Sequence, residues 1–317
     1  MMKKSIYLLF VAVVTLCLAA CGNGNSDSES QSDKKESNEG KPSLVVTTTF
    51  LKDMVSVLEE GVDGFDTHLI IPAGEDPHVY EPKASDLDSL KNADVVLYHG
   101  LDFEGRMADV LSSGVSVTEK FNESNLEEME EDEGIVVDPH FWFDLDLYQQ
   151  AMERVKETLI ENNPDGKEQY EANFDAYIEE LKELDSYIKS RIDEIPEKSR
   201  VLVTPHDAFN YFSRAYGMEV FAPQGVSTDS EVSNNQIQQT ADKIVENNIK
   251  AIFIETTTNP DRMKRLQEVV KAQGGEVELV SDGNELLSDS LAPVGESGDT
   301  FLTMYRHNID VIVDHLK

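Results

Sequence analysis

Three of the seven histidines in this chain of 317 residues stand directly after a proline. Asp76-Pro77-His78 and Asp138-Pro139-His140 repeat one tripeptide, and Thr204-Pro205-His206 follows the apolar run Val201-Leu202-Val203. Proline fixes φ and stiffens its loop, so the following imidazole is presented with little freedom. An aspartate two places earlier can accept a hydrogen bond from an imidazole N–H or a nearby backbone N–H. That is the usual device for holding a metal-ligating histidine. One such tripeptide reads as an ordinary turn; two of them, with a third Pro-His, point to a shared site. A fourth segment, Leu287-Ser288-Asp289-Ser290-Leu291, places a carboxylate in a late loop.

The elements that must position these loops alternate between strand and helix patterns. Leu44–Thr48, Thr67–Ile71 and Ala93–Tyr98 read as buried strands, with helices expected over Lys52–Leu58 and Ser85–Lys91. Continuous apolar strands separated by helices indicate a parallel sheet covered on both faces. Next, Phe174, Tyr177, Ile178, Leu181, Leu184, Ile188 and Ile192 recur at spacings of three and four. This predicts one long helix, opened near Pro164 and ended by Pro196. The rhythm then returns. Strands are expected at Val201–Val203, Met218–Phe221, Ala251–Glu255 and Glu276–Val280, and helices at Gln236–Asn247, Pro260–Gln273 and Phe301–Leu316. The expected fold class is α/β: two (β/α) lobes with mostly parallel sheets, 43–163 and 196–317, joined by a rigid linking helix over 164–195. The candidate loops sit at strand ends, where open α/β sheets place their ligands.

The N-terminus is expected to be processed. Lys3 and Lys4 precede an apolar run from Ile6 to Leu18, shorter than the roughly 20 residues of a membrane span. Leu18-Ala19-Ala20-Cys21 followed by Gly22 resembles a bacterial lipobox, which implies a signal peptide over 1–20 and acylation of Cys21. Cys17 would leave with the leader, so the lone Cys21 can form no intrachain disulfide. Residues 21–42 are polar and read as a flexible tether. Net charge is −35, and −37 once Lys3 and Lys4 are lost, which argues against nucleic acid as a partner. The acidic run Glu127–Glu133 reads as a solvated loop.

Taken in order, Asp-Pro-His-x-Tyr-Glu-Pro (76–82), Asp-Pro-His-x-Trp (138–142), Thr-x-His-Asp-Ala-Phe-x-Tyr-Phe (204–212) and Ser-Asp-x-Leu (288–291) resemble a known family. It comprises the metal-binding substrate-binding lipoproteins of ATP-driven manganese and zinc importers, solute-binding protein family 9, cluster A-I. Gln224–Thr228 and Thr303–Asn308 resemble it too, and the likeness covers essentially the whole mature chain. The resemblance implies metal ligands at His78, His140, His206 and Asp289, two from each lobe. It favours Asp289 over Asp282, which also follows a strand. It further implies a monomer, lipid-anchored at the extracytoplasmic face of the membrane, with an ABC permease and its ATPase as partners. Three neutral imidazoles and one carboxylate suit a borderline divalent ion rather than Mg²⁺ or Ca²⁺. Mn²⁺ is favoured over Zn²⁺ because the long His-rich loop of many zinc members is missing. His68, His99, His307 and His315 are expected to be structural, and Phe141 and Trp142 to wall the site. The rival functions are a metallohydrolase and a surface adhesin. Against the first, the chain has no His-Glu-x-x-His, no Gly-x-Ser-x-Gly and no phosphate loop, and no enzyme is expected.

Overall fold

The protein is described here by a computed structural model covering residues 40–131, 134–229 and 231–317. The expected leader, Cys21 and nearly all of the tether lie outside the described residues. Among the described residues, no helix is long and apolar enough to cross a membrane.

The first lobe opens with β1 (Ser43–Val46), α1 (Thr49–Leu58), β2 (Asp66–Leu69), α2 (Ala84–Asn92), β3 (Val95–Tyr98), α3 (Ala108–Leu111) and β4 (Val115–Ser116). Its four strands are parallel and ordered β2-β1-β3-β4. Side chains alternate across a strand, and β1 shows this directly. Leu44 and Val46 enter the main core, whereas Val45 packs on the opposite face with Ile70, Ile71, Met107 and Leu111. Thr48 starts α1 by accepting a hydrogen bond from Leu51 N with its hydroxyl.

The acidic run differs from its expectation. Glu128–Glu131 forms β5, paired antiparallel with β6 (Gly134–Val137). Backbone pairing needs no burial of the glutamates, and Ile135, Val136 and Val137 supply a β-branched partner strand. The hairpin ends with Asp138 N donating to Glu127 O at 2.9 Å, which delivers the second Asp-Pro-His. A further helix, α4 (Leu145–Asn162), precedes the linker. Its buried Leu147, Tyr148, Ala151, Met152, Val155 and Leu159 follow a helical period that the sequence reading passed over.

The linking helix is α5 (Lys167–Ile192), 26 residues long, or about 39 Å at 1.5 Å per residue. A 3₁₀ turn over Pro164–Gly166 precedes it. Its buried face packs on α1 and α4 and then on the last helix of the chain, so it is shared by both lobes. The second lobe holds β7 (Val201–Val203), α6 (Asn210–Tyr216), β8 (Glu219–Phe221), α7 (Asn234–Asn247), β9 (Ala251–Phe253), α8 (Asp261–Ala272), β10 (Glu278–Val280) and α9 (Phe301–Leu316). β7 pairs with β8 and β9 with β10, both in parallel, and β7 lies beside β9. Ala251 and Phe253 join the core shared with α5, while Val203, Ile252 and Ile254 face α7 and α8.

Candidate metal centre

Each histidine that follows a proline leaves the carboxyl end of a strand or hairpin. His78 lies in the loop after β2, His140 precedes a 3₁₀ turn after β6, and His206 follows β7. Asp289 comes from the loop between β10 and α9. The four side chains meet in the interior, with one ligand atom from each within 4.8 Å of all the others. His78 is 3% exposed and the other three are fully buried. Asp282, the rival carboxylate, sits exposed in a left-handed turn at φ 60°.

The contacts among these atoms are close. His140 Nε2 lies 3.3 Å from both His78 Nε2 and His206 Nε2. It also lies 3.3 Å from Asp289 Oδ1, and His206 Nε2 is 3.3 Å from Asp289 Oδ2. Among the described residues Asp289 Oδ1 meets no hydrogen-bond donor, while Thr257 donates to Oδ2 at 3.1 Å. Lone pairs so placed repel one another unless a cation or protons lie among them.

The remote ring nitrogens are anchored differently. A carboxylate can only accept, so His140 Nδ1 donates to Asp138 Oδ1 at 2.7 Å, and that oxygen also accepts His140 N at 2.9 Å. This turns Nε2 and its lone pair toward the centre. His206 has Thr204 where the other loops have aspartate. The Thr204 hydroxyl donates to His206 O at 2.9 Å and so holds the backbone only. The ring is instead held by Glu255 at the end of β9, with Nδ1 and Oε2 2.5 Å apart. Sequence reasoning missed Glu255; its signal was a lone charge ending the apolar run Ala251–Ile254. Asp76 accepts from the backbone of His78 at 3.0 Å, not from its ring.

Charge balance follows from these pairs. Burial works against imidazolium at His140, but Asp138 and then Asp289 outweigh it and raise the ring to about 9. At His206 burial is likewise overcome, by Asp289 and Glu255, and its pKa rises well above the usual value. Burial would raise Asp289, yet His206 and His140 hold it well below the carboxylate range. His78 is pushed down to about 3 by burial, with Asp289 opposing and the two other imidazoles reinforcing. A divalent ion entering this cluster would therefore displace protons.

An aromatic wall closes one side. Phe103 meets His78 edge-on at 5.0 Å and Trp142 meets His140 at 5.2 Å. Trp142 Nε1 donates to Ser288 O at 3.0 Å, next to Asp289. Phe103 is delivered by a tight turn in which Gly100, Leu101 and Asp102 all have positive φ. Buried Glu104 secures this turn, accepting from Thr47 Oγ1, His99 N and Gly100 N. His99 is fully buried behind the wall with Nε2 2.7 Å from Thr48 Oγ1, whereas His68 is exposed. His307 contacts Glu285 O and His315 contacts Glu278, away from the centre.

Residues 44–315 match the family described as zinc-uptake complex component A, periplasmic (ZnuA). The zinc-binding protein TroA of Treponema pallidum (strain Nichols) is 37% identical over 308 residues, covering 95% of this chain and 97% of TroA. The manganese-binding lipoprotein MntA of Bacillus subtilis (strain 168) is 37% identical over 250 residues, covering 77% of this chain and 80% of MntA. A solved structure of TroA, described for its metal-binding specificity, superposes with a TM-score of 0.86 at 51% identity, over 88% of this chain and 100% of that one. With the match running from β1 into the last turn of α9, the chain belongs to the ZnuA family, cluster A-I of the substrate-binding receptors of ABC importers.

Proposed function

We propose that this chain is an extracytoplasmic receptor that takes one divalent transition metal ion between its lobes and delivers it to an ABC permease and its ATPase. His78, His140, His206 and Asp289 are the ligands. One observation carries the reading: four contacts of 3.3 Å among Nε2 and carboxylate oxygens contributed by both lobes. Metal–imidazole bonds of roughly 2.0–2.1 Å at tetrahedral angles set neighbouring donors about 3.3 Å apart, the spacing of these contacts, of which Asp289 makes its two through different oxygens. Four protein ligands leave little room for a reactive water, which supports a receptor over a hydrolase. Mn²⁺ is the ion favoured by the sequence. Zn²⁺ is the second reading, supported by these 3.3 Å donor spacings and by the higher affinity of zinc at N/O sites. The protein acts as a monomer and is held to the membrane by lipid on Cys21.

Elemental analysis of protein purified without added metal, followed by competition between Mn²⁺ and Zn²⁺, tests the reading and selects the ion. His140→Ala is expected to abolish tight binding of either ion with its circular dichroism unchanged. Full metal content in that variant would remove His140 from the site.

A further inference from the structure

The two Asp-Pro-His carboxylates divide their oxygens in the same way. Asp138 uses Oδ1 on its own His140 and Oδ2 to accept from Asn210 Nδ2 of α6 at 2.9 Å. Asp76 uses Oδ1 on the backbone of His78 and Oδ2 to accept from the Thr228 hydroxyl at 2.6 Å. Asn210 and Thr228 both lie beyond α5, so each tripeptide ties a histidine of the first lobe to the second. Their settings differ. Asp138 is fully buried, whereas Asp76 is half-buried.

The loop bearing Thr228 is itself tied to the centre. The backbone of Gln224 pairs with that of His206, and Gln224 Nε2 donates to Thr228 O at 2.9 Å. Thr228 thus links the loop of His78 to the loop of His206. Beside it, Asp229 accepts from Arg106, which also holds Glu81 at 2.8 Å. That ion pair is exposed and screened, so it contributes little. The Asp76–Thr228 bond is charge-assisted and partly buried, and such bonds are the strong ones.

We infer that Thr228 and Asp76 form a clasp that keeps the His78 loop closed on the second lobe and sets the rate at which a bound ion leaves, without either side chain touching the ion. The inference rests on the metal-binding reading of the four ligands. The deeper Asp138–Asn210 bond is its fixed counterpart: it holds the His140 loop, so the half-buried outer bond can break while the deeper one stays made.

The test uses the purified full chain loaded with Mn²⁺, and in parallel with Zn²⁺, mixed with excess chelator in a stopped-flow instrument. Thr228→Val removes the hydroxyl at nearly constant shape and should release the ion about tenfold faster or more. Thr228→Ser restores the donor and should return the wild-type rate. Asp76→Asn keeps a neutral hydrogen bond to Thr228 but removes the charge that strengthens it, so it should speed release by less, and the double variant should be no faster than Thr228→Val, because both act through the same bond. Metal content and melting curves are measured alongside, and Asp76→Asn carries the test if Val perturbs the loop. Unchanged or slower release from a loaded Thr228→Val chain, or additive effects in the double variant, overturns the clasp alone. A wild-type chain that takes up neither ion overturns the metal reading, and the clasp with it.

Discussion

The three imidazoles are not equivalent, and the difference lies in what each remote nitrogen touches. His140 is oriented by the aspartate two residues before it. His206 is oriented by Glu255, which comes from the segment just after β9. Glu255 is pushed up by burial, and the His206 imidazolium opposes this. Replacing it with glutamine removes the charge and lets an amide N–H face Nδ1, so the ring is no longer held in one tautomer. Glu255→Gln is therefore expected to lower metal affinity by about 10–100-fold, read by competition with a fluorescent chelator at neutral pH. An unchanged affinity would show that Glu255 does not orient the ring.

Among the elements, α9 has the most demanding start. Its Thr300/Thr303 capping box satisfies part of the first turn. Phe301 N is met by Asp53 Oδ2 of α1, at 2.9 Å and buried. Burial raises Asp53 to about 6; the Phe301 N–H opposes this, and nearby Asp299 adds to it. The folded chain therefore holds a proton more tightly than the unfolded one. This contribution to stability is complete below the ordinary value of 3.8 and is lost as pH rises through about 6. Asparagine keeps the acceptor and cannot ionise. Asp53→Asn should gain about 1–3 kcal/mol over wild type at pH 7.5, with the gap closing toward pH 4. Urea unfolding at the two pH values measures it; a constant difference would mean that the carboxylate is not the cause. The long helix poses a simpler problem. Tyr170, Phe174, Tyr177, Leu181, Leu184, Ile188 and Ile192 line one face, and the two lobes share that stripe.

At the scale of the molecule, the main core runs without a break from Leu44 in β1, along α5, to Leu316 in α9. The lobes are thus joined on the linker side by buried apolar surface. On the cleft side they meet through polar contacts: Asp76 with Thr228, Asp138 with Asn210, and Gly74 N with Ser290 Oγ. Hydrogen bonds can break and reform in place, whereas a packed core resists opening. This asymmetry suits a receptor that must hold and then surrender its cargo. Such a receptor must also stay near its permease. In cells fed labelled palmitate, the wild-type chain should take up label and Cys21→Ala should not. Label persisting in the variant would overturn the proposed anchor.

The α/β class, the linking helix and the loops bearing His78, His140 and His206 were legible in the sequence because each leaves a local trace. β-branched runs mark strands, a three-and-four spacing marks α5, and a proline before histidine marks a stiff loop. What no local pattern carries is which distant group meets which. Glu255 is 49 positions from His206, Asn210 is 72 from Asp138 and Thr228 is 152 from Asp76. Likewise, Asp282 and Asp289 both follow β10, and packing alone buries the second and leaves the first in solvent. Dihedral preference and hydrophobic period act over a few residues, so they shape the loops. The docking of two lobes across α5 decides which carboxylates and hydroxyls those loops find.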